Sequence, residues 1–335
     1  MNFIFSIVLS FVLVFSSSFL LTSFILPVLI RKMSARNLVG KDMNKLSKPE
    51  VSEMGGISII LGVSLGIISS IFVSTYFGFI ELNLLILFAS FLTITLVGII
   101  GIVDDLIGWK KGIRQYQHAL FPLFAALPLM AVQAGTDYVV LPFIGIVSLG
   151  IYYSLIIVPL GITGASNAFN MLAGFNGLEA GLGVLIVSTL SLVAYLDGQI
   201  EAFIIGVAIV ASLLAFIRVN WFPAKVFGGD SLTLLIGASI AVISIIGNME
   251  KVGISIIALH WIELFFKARN KFQAESFGVP LKDGTLKAPE KIGSFTHFVL
   301  KKFGPMKEPQ LVKTILAMQL GVCIVVFGLF YFNLF

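Results

Sequence analysis

The chain has 335 residues, of which 58% are hydrophobic and only 12% are charged, with a net charge of +5 and a mean hydropathy of +1.05. A soluble domain is about 45–50% apolar and about 25% charged, so this chain has too little polar surface to cover a soluble globule. A soluble enzyme, a disulfide-rich scaffold and a disordered chain are therefore excluded. The single cysteine, Cys323, cannot form an intrachain disulfide.

Apolar segments follow one another along the chain, and a membrane-spanning helix needs roughly 20 such residues. Residues 1–30 carry no charge, have no basic start and are too long for a cleaved signal, so they are predicted as a span. We expect about ten spans, or nine or eleven because two blocks are weak, in an all-α polytopic membrane protein with a single domain, 1–335. The other predicted spans lie near 55–77, 83–103, 118–133, 148–163, 178–196, 202–217, 231–248, 252–266 and 313–334.

Lysine and arginine concentrate on one side of the predicted membrane. Numbering the loops from an outside N-terminus places every Lys and Arg except Lys251 in an inside loop or at its edge, as the positive-inside rule requires. Both termini are then expected outside, and the positive charge reflects topology rather than a nucleic-acid-binding surface. The longest inside loop is predicted at 267–312, with a small hairpin around Asp283 and Gly284.

Two polar segments of the inside face precede the middle of the chain. Asp42, Asn44, Lys45 and Glu53 suit a polar ligand, but taken alone they are better explained by an ordinary positive-inside loop that ends in a glycine-rich helix start. Asp104 and Asp105 follow an inward-running span, at a helix end that carries partial negative charge. Two carboxylates there need a bound cation or a basic partner; the alternative is a solvated loop paired with the basic residues that follow, Lys110 and Arg114.

Two further polar segments lie in the second half. Asn167, Asn170 and Asn176 stand with two glycines between apolar spans, and asparagine offers an oxygen for a hard cation and amide donors for a base edge. The alternative is a turn that uses left-handed asparagines. Asp230 precedes a clear span and is either a helix N-cap or a metal ligand.

The remaining polar residues give weaker signals. Three scattered histidines with one cysteine make no zinc site, so each histidine is interpreted as structural. Glu263, near the inner end of its span, is either a paired buried acid or a residue at the lipid interface. Carboxylate and amide oxygens converging on one face with basic residues favour Mg²⁺ or Mn²⁺ and phosphates. The residues thus indicate phosphoryl transfer between a cytosolic polyphosphate and a bilayer component.

The same segments carry a family resemblance. GKDMNK with PEVSEMGG, GIVDD, NAFNMLAGFNGLEAG and NWFPAKVFGGDS occur in that order. The chain resembles the polyprenyl-phosphate N-acetylhexosamine-1-phosphate transferases, and within them the eukaryotic and archaeal branch that makes GlcNAc-diphospho-dolichol. Bacterial members generally have aspartate at the positions of Ala173 and Asn176, and a histidine-rich motif that is absent from the last inside loop of this chain.

The resemblance implies a reaction and a location. UDP-GlcNAc and a polyprenyl (dolichyl) phosphate give GlcNAc-diphospho-lipid and UMP, with Mg²⁺ or Mn²⁺, as a first membrane step of glycan assembly. The enzyme is expected in an archaeal cell membrane or the endoplasmic reticulum membrane, with a cytosolic active site. A homodimer and a monomer are both compatible with the sequence, and no nucleic-acid partner is expected.

The resemblance also implies residue roles. Asn170 and Asp230 would hold Mg²⁺, while Asn176 and the backbone near Gly174 would contact the uracil. Asp104 and Asp105 would sit beside the lipid phosphate, as catalytic residues together with Asp230. The other substrate-binding positions would be Asp42, Asn44, Lys45, Glu53, Lys111, Arg114, Arg269 and Lys271.

The expected mechanism is direct in-line attack, because a phosphate monoester has a second pKa near 6 and needs no strong general base. A covalent phospho-aspartate intermediate is the rival route. Two other classes compete with the transferase. An intramembrane aspartyl protease would use Asp104 and Asp230, and a transporter would need polar residues along a path through the membrane, where the outer halves of the spans are apolar.

Overall fold

The computed structural model describes residues 3–107, 115–141 and 145–334 and is mostly helical, as predicted. A π-helical turn, Tyr153–Ile157, leads directly into α6 (Val158–Met171). The other helices are α1 Phe3–Ala35, α2 Gly56–Phe77, α3 Leu84–Ile107, α4 Gln115–Ala125, α5 Leu127–Ala131, α7 Leu178–Leu196, α8 Ile200–Asn220, α9 Asp230–Ile246, α10 Glu250–Ile256, α11 Ala258–Arg269, α12 Phe295–Phe303 and α13 Glu308–Tyr331.

Within the described ranges, seven helices are long and apolar enough to cross a membrane. They coincide with seven of the predicted spans, while Leu120–Ala131 and α9 are apolar but shorter. The count of ten spans and the outside position of both termini therefore remain predictions. The seven are Val8–Ala35, Gly56–Phe77, Leu84–Ile107, Tyr153–Met171, Leu178–Leu196, Ile200–Asn220 and Glu308–Tyr331.

Two predicted spans are interrupted helices. The block near 118–133 contains Pro122 within α4 and Pro128 at the start of α5, and proline removes a helical hydrogen bond. The block near 252–266 breaks at Ile257, between α10 and α11. The carbonyl of Ile256 at this break accepts a 2.8 Å hydrogen bond from Gln319 Nε2, so a buried amide of α13 satisfies it.

Small antiparallel sheets connect the helices. The predicted hairpin around Asp283 and Gly284 is confirmed: Val279–Pro280 pairs with Thr285–Lys287, and Met306–Lys307 adds a third strand. Two hairpins were not expected, because such short strands show no alternating pattern long enough to recognise. These are Val39–Lys41 with Glu50–Ser52, and Tyr138–Leu141 with Gly145–Ser148.

Helix α9 is almost entirely buried and is the centre about which the site is built. Its neighbours approach it at glycines: a Cβ at Gly101 of α3 would lie 2.5 Å from the Asp230 backbone, and one at Gly56 of α2 would lie 2.6 Å from the Leu232 nitrogen. At Gly237, a Cβ would lie 2.4 Å from the Ala165 carbonyl oxygen of α6. Small residues allow such close helix packing within a membrane, so three polar segments meet at the beginning of α9.

Candidate active site

The end of α3 meets the beginning of α9. Both carboxylate oxygens of Asp105 accept backbone N–H groups from the first turn of α9, from Asp230 at 2.7 Å and from Ser231 at 3.2 Å. The first N–H groups of a helix lack internal partners and carry partial positive charge. The beginning of α9 therefore offers hydrogen-bond donors to the Asp105 carboxylate at the negative end of α3.

Gly229 makes this junction possible. Its φ of +71° favours glycine, and a Cβ at this position would lie 2.3 Å from Asp105 Oδ2. Asp230 is the first residue of α9, and its side chain does not cap the helix, since the N-cap position belongs to Gly229. The N-cap alternative for Asp230 is thus wrong.

Glu53 is brought close to Asp105 and Asp230 by hydrogen bonds between the backbones of two segments. Phe227 N donates to Ser52 O at 2.7 Å, and Gly55 N donates to Phe227 O at 2.9 Å, so the segment before α2 runs beside the segment before α9. Burial raises the pKa of the Glu53 carboxyl above its usual range, and the negative charge of Asp230 raises it further. Glu53 and Asp230 are therefore close enough to repel one another.

Asn170 reaches α9 from the end of α6. Thr233, one turn after Asp230, donates its hydroxyl to Asn170 Oδ1 at 2.8 Å. An amide oxygen has two lone pairs, so this bond leaves one for another partner. Asn170 and Asp230 thus lie at the same helix end and offer hard oxygen donors of the type that Mg²⁺ binds.

The donor set fits a divalent cation whose remaining ligands come from a substrate. In the part of the chain that the structure describes, no group of three His, Cys, Asp or Glu side chains could hold a metal ion by itself. Mg²⁺ typically takes one or two protein carboxylates and completes its shell with phosphate oxygens and water. Asp230 and Asn170 would supply the protein ligands of such a cation, and Glu53 would add a second negative charge nearby.

The asparagine-rich loop after α6 is held by its own backbone groups. Gly174 has a φ of +106°, its N–H donates to Glu179 Oε1 at 2.5 Å, and its carbonyl accepts Asn44 Nδ2 at 2.7 Å. Gly177 N donates to Asn220 Oδ1 at 3.1 Å, and Asn220 Nδ2 donates to Val226 O at 2.8 Å. The loop is thereby connected to the segments before both α2 and α9.

Asn176 is 2% exposed, and its polar atoms have protein partners. Its Nδ2 donates to Asp42 Oδ2 at 3.0 Å and to Glu308 Oε1 at 2.7 Å, while its Oδ1 accepts the N–H of Ala224 at 2.7 Å. Lys45 forms ion pairs with both Asp42 and Glu308, the second at 3.3 Å. These residues form what we call the closed network: Asp42, Lys45, Asn176 and Glu308.

Comparison with known proteins identifies the family. The chain matches Glycosyl transferase family 4 over residues 87–248. It is 35% identical over 292 residues, 87% of each chain, to a protein of Saccharolobus solfataricus provisionally named a UDP-N-acetylglucosamine–dolichyl-phosphate N-acetylglucosaminephosphotransferase. The chain belongs to glycosyl transferase family 4. A Dictyostelium discoideum enzyme of that same name, without the provisional label, is 26% identical over 361 residues, covering 94% of this chain and 87% of the relative.

Bacterial members of the family that are named for another substrate are also similar. A phospho-N-acetylmuramoyl-pentapeptide-transferase of Clostridium botulinum is 30% identical over 245 residues, 70% of this chain and 72% of the relative. The family match includes both sides of the junction between α3 and α9, and the loop after α6. The expected resemblance to this group of membrane transferases is confirmed.

Most of the predicted site residues that the structure describes come together, in two groups. Asp42, Asn44, Lys45, Gly174 and Asn176 form one, and Glu53, Asp105, Asn170 and Asp230 form the other. Asp104 is partly buried in the last turn of α3, where it makes its own contacts. Lys111 and Arg114 lie outside the described residues.

The two basic residues predicted in the last inside loop have other surroundings. Arg269 is exposed, donates to Ile292 O at 3.0 Å and lies over the Phe266 ring. Lys271 is exposed and follows α11 with a φ of +54°. Neither has a described contact with the acidic residues at α9, and their role toward a substrate stays a prediction.

The last inside loop is anchored by Glu263, which is a paired buried acid. Its carboxylate accepts Phe295 N at 2.6 Å and Ser294 Oγ at 2.9 Å and lies 3.4 Å from Lys267 Nζ. Ser276 Oγ accepts from Lys267 and donates to Met171 O at 3.2 Å, which ties the loop to the end of α6. The lipid-interface alternative for Glu263 is therefore wrong.

An open cleft of about 760 Å³ separates this loop from residues 43–48. His297 lies on its wall, where Nε2 donates to Phe277 O at 2.8 Å and Nδ1 accepts the N–H of Gly293 at 3.2 Å. The structural interpretation of His297 fits these contacts, and burial lowers its pKa below the usual value. Gly278 N donates to Asn44 Oδ1 at 3.3 Å, so the cleft borders the asparagine-rich loop.

The sequence reasoning missed several residues that hold the site. In the sequence, Glu308 looks like an ordinary acidic residue at the start of a helix. Thr233 looks like a small residue within a membrane span. Asn220 and Glu179 lie in segments that were singled out, but nothing in their spacing indicates which loop backbone they contact. Only the fold shows these partners, because they come from distant parts of the chain.

Proposed function

We propose that the chain transfers GlcNAc-1-phosphate from UDP-GlcNAc to a polyprenyl phosphate of the dolichyl type and releases UMP. The observation that carries this proposal is the junction at the start of α9, where the Asp230 carboxylate and the Asn170 amide oxygen lie on the same helix end. The names of the archaeal and Dictyostelium relatives supply the substrate class. Membership of family 4 supplies the reaction class.

The bonds exchanged follow from the substrates. An oxygen of the lipid phosphate attacks the β-phosphorus of UDP-GlcNAc, and the bond from that phosphorus to the bridging oxygen breaks, so the bridging oxygen leaves with UMP. The lipid phosphate is largely a dianion at neutral pH and needs no strong base. A bound Mg²⁺ would reduce the repulsion between the two anions and stabilise the leaving phosphate.

The protein side chains then have positioning and electrostatic tasks. Asn170 and Asp230 would hold the cation, and Glu53 would add negative charge beside it. Each oxygen of Asp105 accepts a helix N–H group, and such a bond lowers the nucleophilicity of that oxygen. This arrangement supports direct in-line attack by the lipid phosphate over a phospho-aspartate intermediate, with Asp104 beside the lipid headgroup.

The two groups of polar site residues are proposed to face the cytosol, in a chain with about ten spans and both termini outside. The predicted inside loops carry the basic residues, and the archaeal relatives favour an archaeal cell membrane. Cys323 is the only cysteine, so a Cys323→Ser background allows single cysteines to be placed at Lys48 and at Lys251. Labelling of Lys48→Cys by an impermeant maleimide in intact cells would contradict this orientation, and labelling of Lys251→Cys alone would support it.

The test of the reaction uses purified protein in lipid nanodiscs with UDP-GlcNAc, dolichyl phosphate and Mg²⁺. We expect equal amounts of UMP and GlcNAc-diphospho-dolichol by mass spectrometry, and none of either when the lipid phosphate is omitted. UMP release without lipid acceptor would favour the covalent route. Transfer from UDP-N-acetylmuramoyl-pentapeptide instead of UDP-GlcNAc would contradict the proposed sugar, and light scattering of the same sample separates monomer from homodimer.

A further inference from the structure

Glu308, the first residue of α13, points away from its own helix and into the asparagine-rich loop. It is 3% exposed, and its Oε1 accepts both the backbone N–H of Asn176 at 2.8 Å and the side-chain Nδ2 at 2.7 Å. Its Oε2 lies 3.3 Å from Lys45 Nζ. We propose that Glu308 is a positioning residue that holds Asn176 and its loop in the conformation that receives the nucleotide of the donor substrate. This inference rests on the proposed function.

Helix capping does not account for these contacts. The first turn of α13 has its own capping box, in which Lys307 N donates to Gln310 Oε1 at 3.0 Å. The helix start is therefore satisfied by neighbours in sequence. The Glu308 carboxylate instead reaches a residue 132 positions earlier.

The closed network fixes the orientation of the Asn176 amide. Two carboxylates, from Asp42 and Glu308, face its Nδ2, and turning the amide over would bring Oδ1 against both negative charges. Such a turn would also place Nδ2 against the N–H of Ala224, which now donates to Oδ1. The Asn176 amide and the Lys45 ammonium both lie between the two carboxylates. Only the observed orientation of the amide therefore gives every polar group of the network a partner.

The network connects the segments on which the proposed donor site depends. Asn176 belongs to the loop that carries Gly174 and follows Asn170, and Ala224 belongs to the segment that precedes Asp230. Because catalysis by orientation is sensitive to small displacements, a loosened Asn176 would misplace the nucleotide and its diphosphate together. The lipid phosphate, expected beside Asp104, has no contact with α13 in this scheme.

The experiment compares Glu308→Gln with Glu290→Gln, an exposed glutamate of the last inside loop. Glutamine keeps the size and one acceptor but loses the charge that pairs with Lys45, so we expect the KM for UDP-GlcNAc and the Kd for UMP to rise about tenfold. The KM for dolichyl phosphate should stay within about twofold, and Glu290→Gln should match the wild type. An unchanged KM for UDP-GlcNAc, or equal changes in both KM values, would overturn the proposal.

A double variant shows whether Glu308 acts through Asn176. An Asn176→Ala background removes the side-chain bond to Glu308 but keeps the backbone N–H, so adding Glu308→Gln should change the UMP affinity by a smaller factor than it does in the wild type. Full additivity would contradict the proposed coupling. Size-exclusion profiles and melting temperatures report folding, and Glu308→Asp, which keeps the charge, provides a second variant if glutamine does not fold.

UMP binding by calorimetry separates this inference from the proposed function. A wild type that binds UMP but transfers no sugar phosphate would refute the proposed reaction, while the affinities of the variants would still decide the role of Glu308. A wild type that binds no uridine nucleotide would overturn both. A variant with a lower melting temperature and lower kcat, but unchanged KM and Kd, would assign Glu308 a structural role only.

Discussion

Two clusters of polar site residues lie near one another in this protein, and they differ in which partners balance their charges. The closed network of Asp42, Lys45, Asn176 and Glu308 contains a cation and an amide between its two carboxylates. At the start of α9, burial and the charge of Asp230 raise the pKa of the Glu53 carboxyl. We propose that the first group holds the structure of the loop and that the second receives a cation.

The difference explains why residue type alone did not separate the two groups. Both contain asparagine and aspartate, and both were expected to contact substrate. A polar group whose partners are already in the protein contributes rigidity, whereas a carboxyl whose pKa is raised by a neighbouring carboxylate gains from a bound ion. Changing one residue in each group therefore should have different consequences.

The largest effect is expected from Asp230→Asn, because it removes the charged oxygen nearest to the proposed cation. We predict a fall in kcat of about a thousandfold at saturating Mg²⁺, with UMP affinity measured in EDTA unchanged. Asp197→Asn, at the end of α7, serves as the matched control. A variant at Asp230 that keeps more than about a tenth of wild-type turnover would exclude this carboxylate from the metal site.

Gly229→Ala should break the junction between α3 and α9. The added Cβ would meet the Asp105 carboxylate in a backbone region that favours glycine, and we expect about a hundredfold loss of kcat with a lower melting temperature. Gly284→Ala is the control, since Gly284 has a φ of +79° but open space around its Cβ position. Equal losses in both variants would attribute the effect to backbone strain alone.

Glu53→Gln should stabilise the protein and weaken the enzyme. The raised pKa means that the folded state binds protons more readily than the unfolded state, so stability falls as pH rises above the usual glutamate pKa and stays lower at pH 7. Removing the charge should thus raise the melting temperature in EDTA, while kcat falls about tenfold. Mg²⁺ should raise the wild-type melting temperature more than that of the variant; equal Mg²⁺ shifts would contradict a cation beside Glu53.

The smallest effect concerns His297. Its pKa is lowered by burial, so the folded state resists protonation and stability should fall as pH drops below the usual histidine pKa of 6.5. Protonation would also remove the bond that Nδ1 accepts from Gly293. We expect His297→Gln to flatten the dependence of melting temperature on pH between 7 and 5, and an identical slope in the variant would exclude this histidine as the cause.

Much of the architecture was predictable because the bilayer imposes long apolar helices. Seven of the predicted spans and the last-loop hairpin follow from hydropathy and turn residues. What Asp105 contacts was not predictable, because its partners are backbone N–H groups of a helix 125 residues later. The Lys45–Glu308 pair joins residues 263 positions apart, and nothing in local sequence records such a contact.

The most direct test of the cation at the start of α9 is the initial rate of UMP release as free Mg²⁺ is titrated, with UMP binding measured on the same sample. We predict no turnover in excess EDTA, recovery on adding Mg²⁺ or Mn²⁺, and UMP binding that persists in EDTA because the closed network remains intact. Full turnover in excess chelator would contradict it.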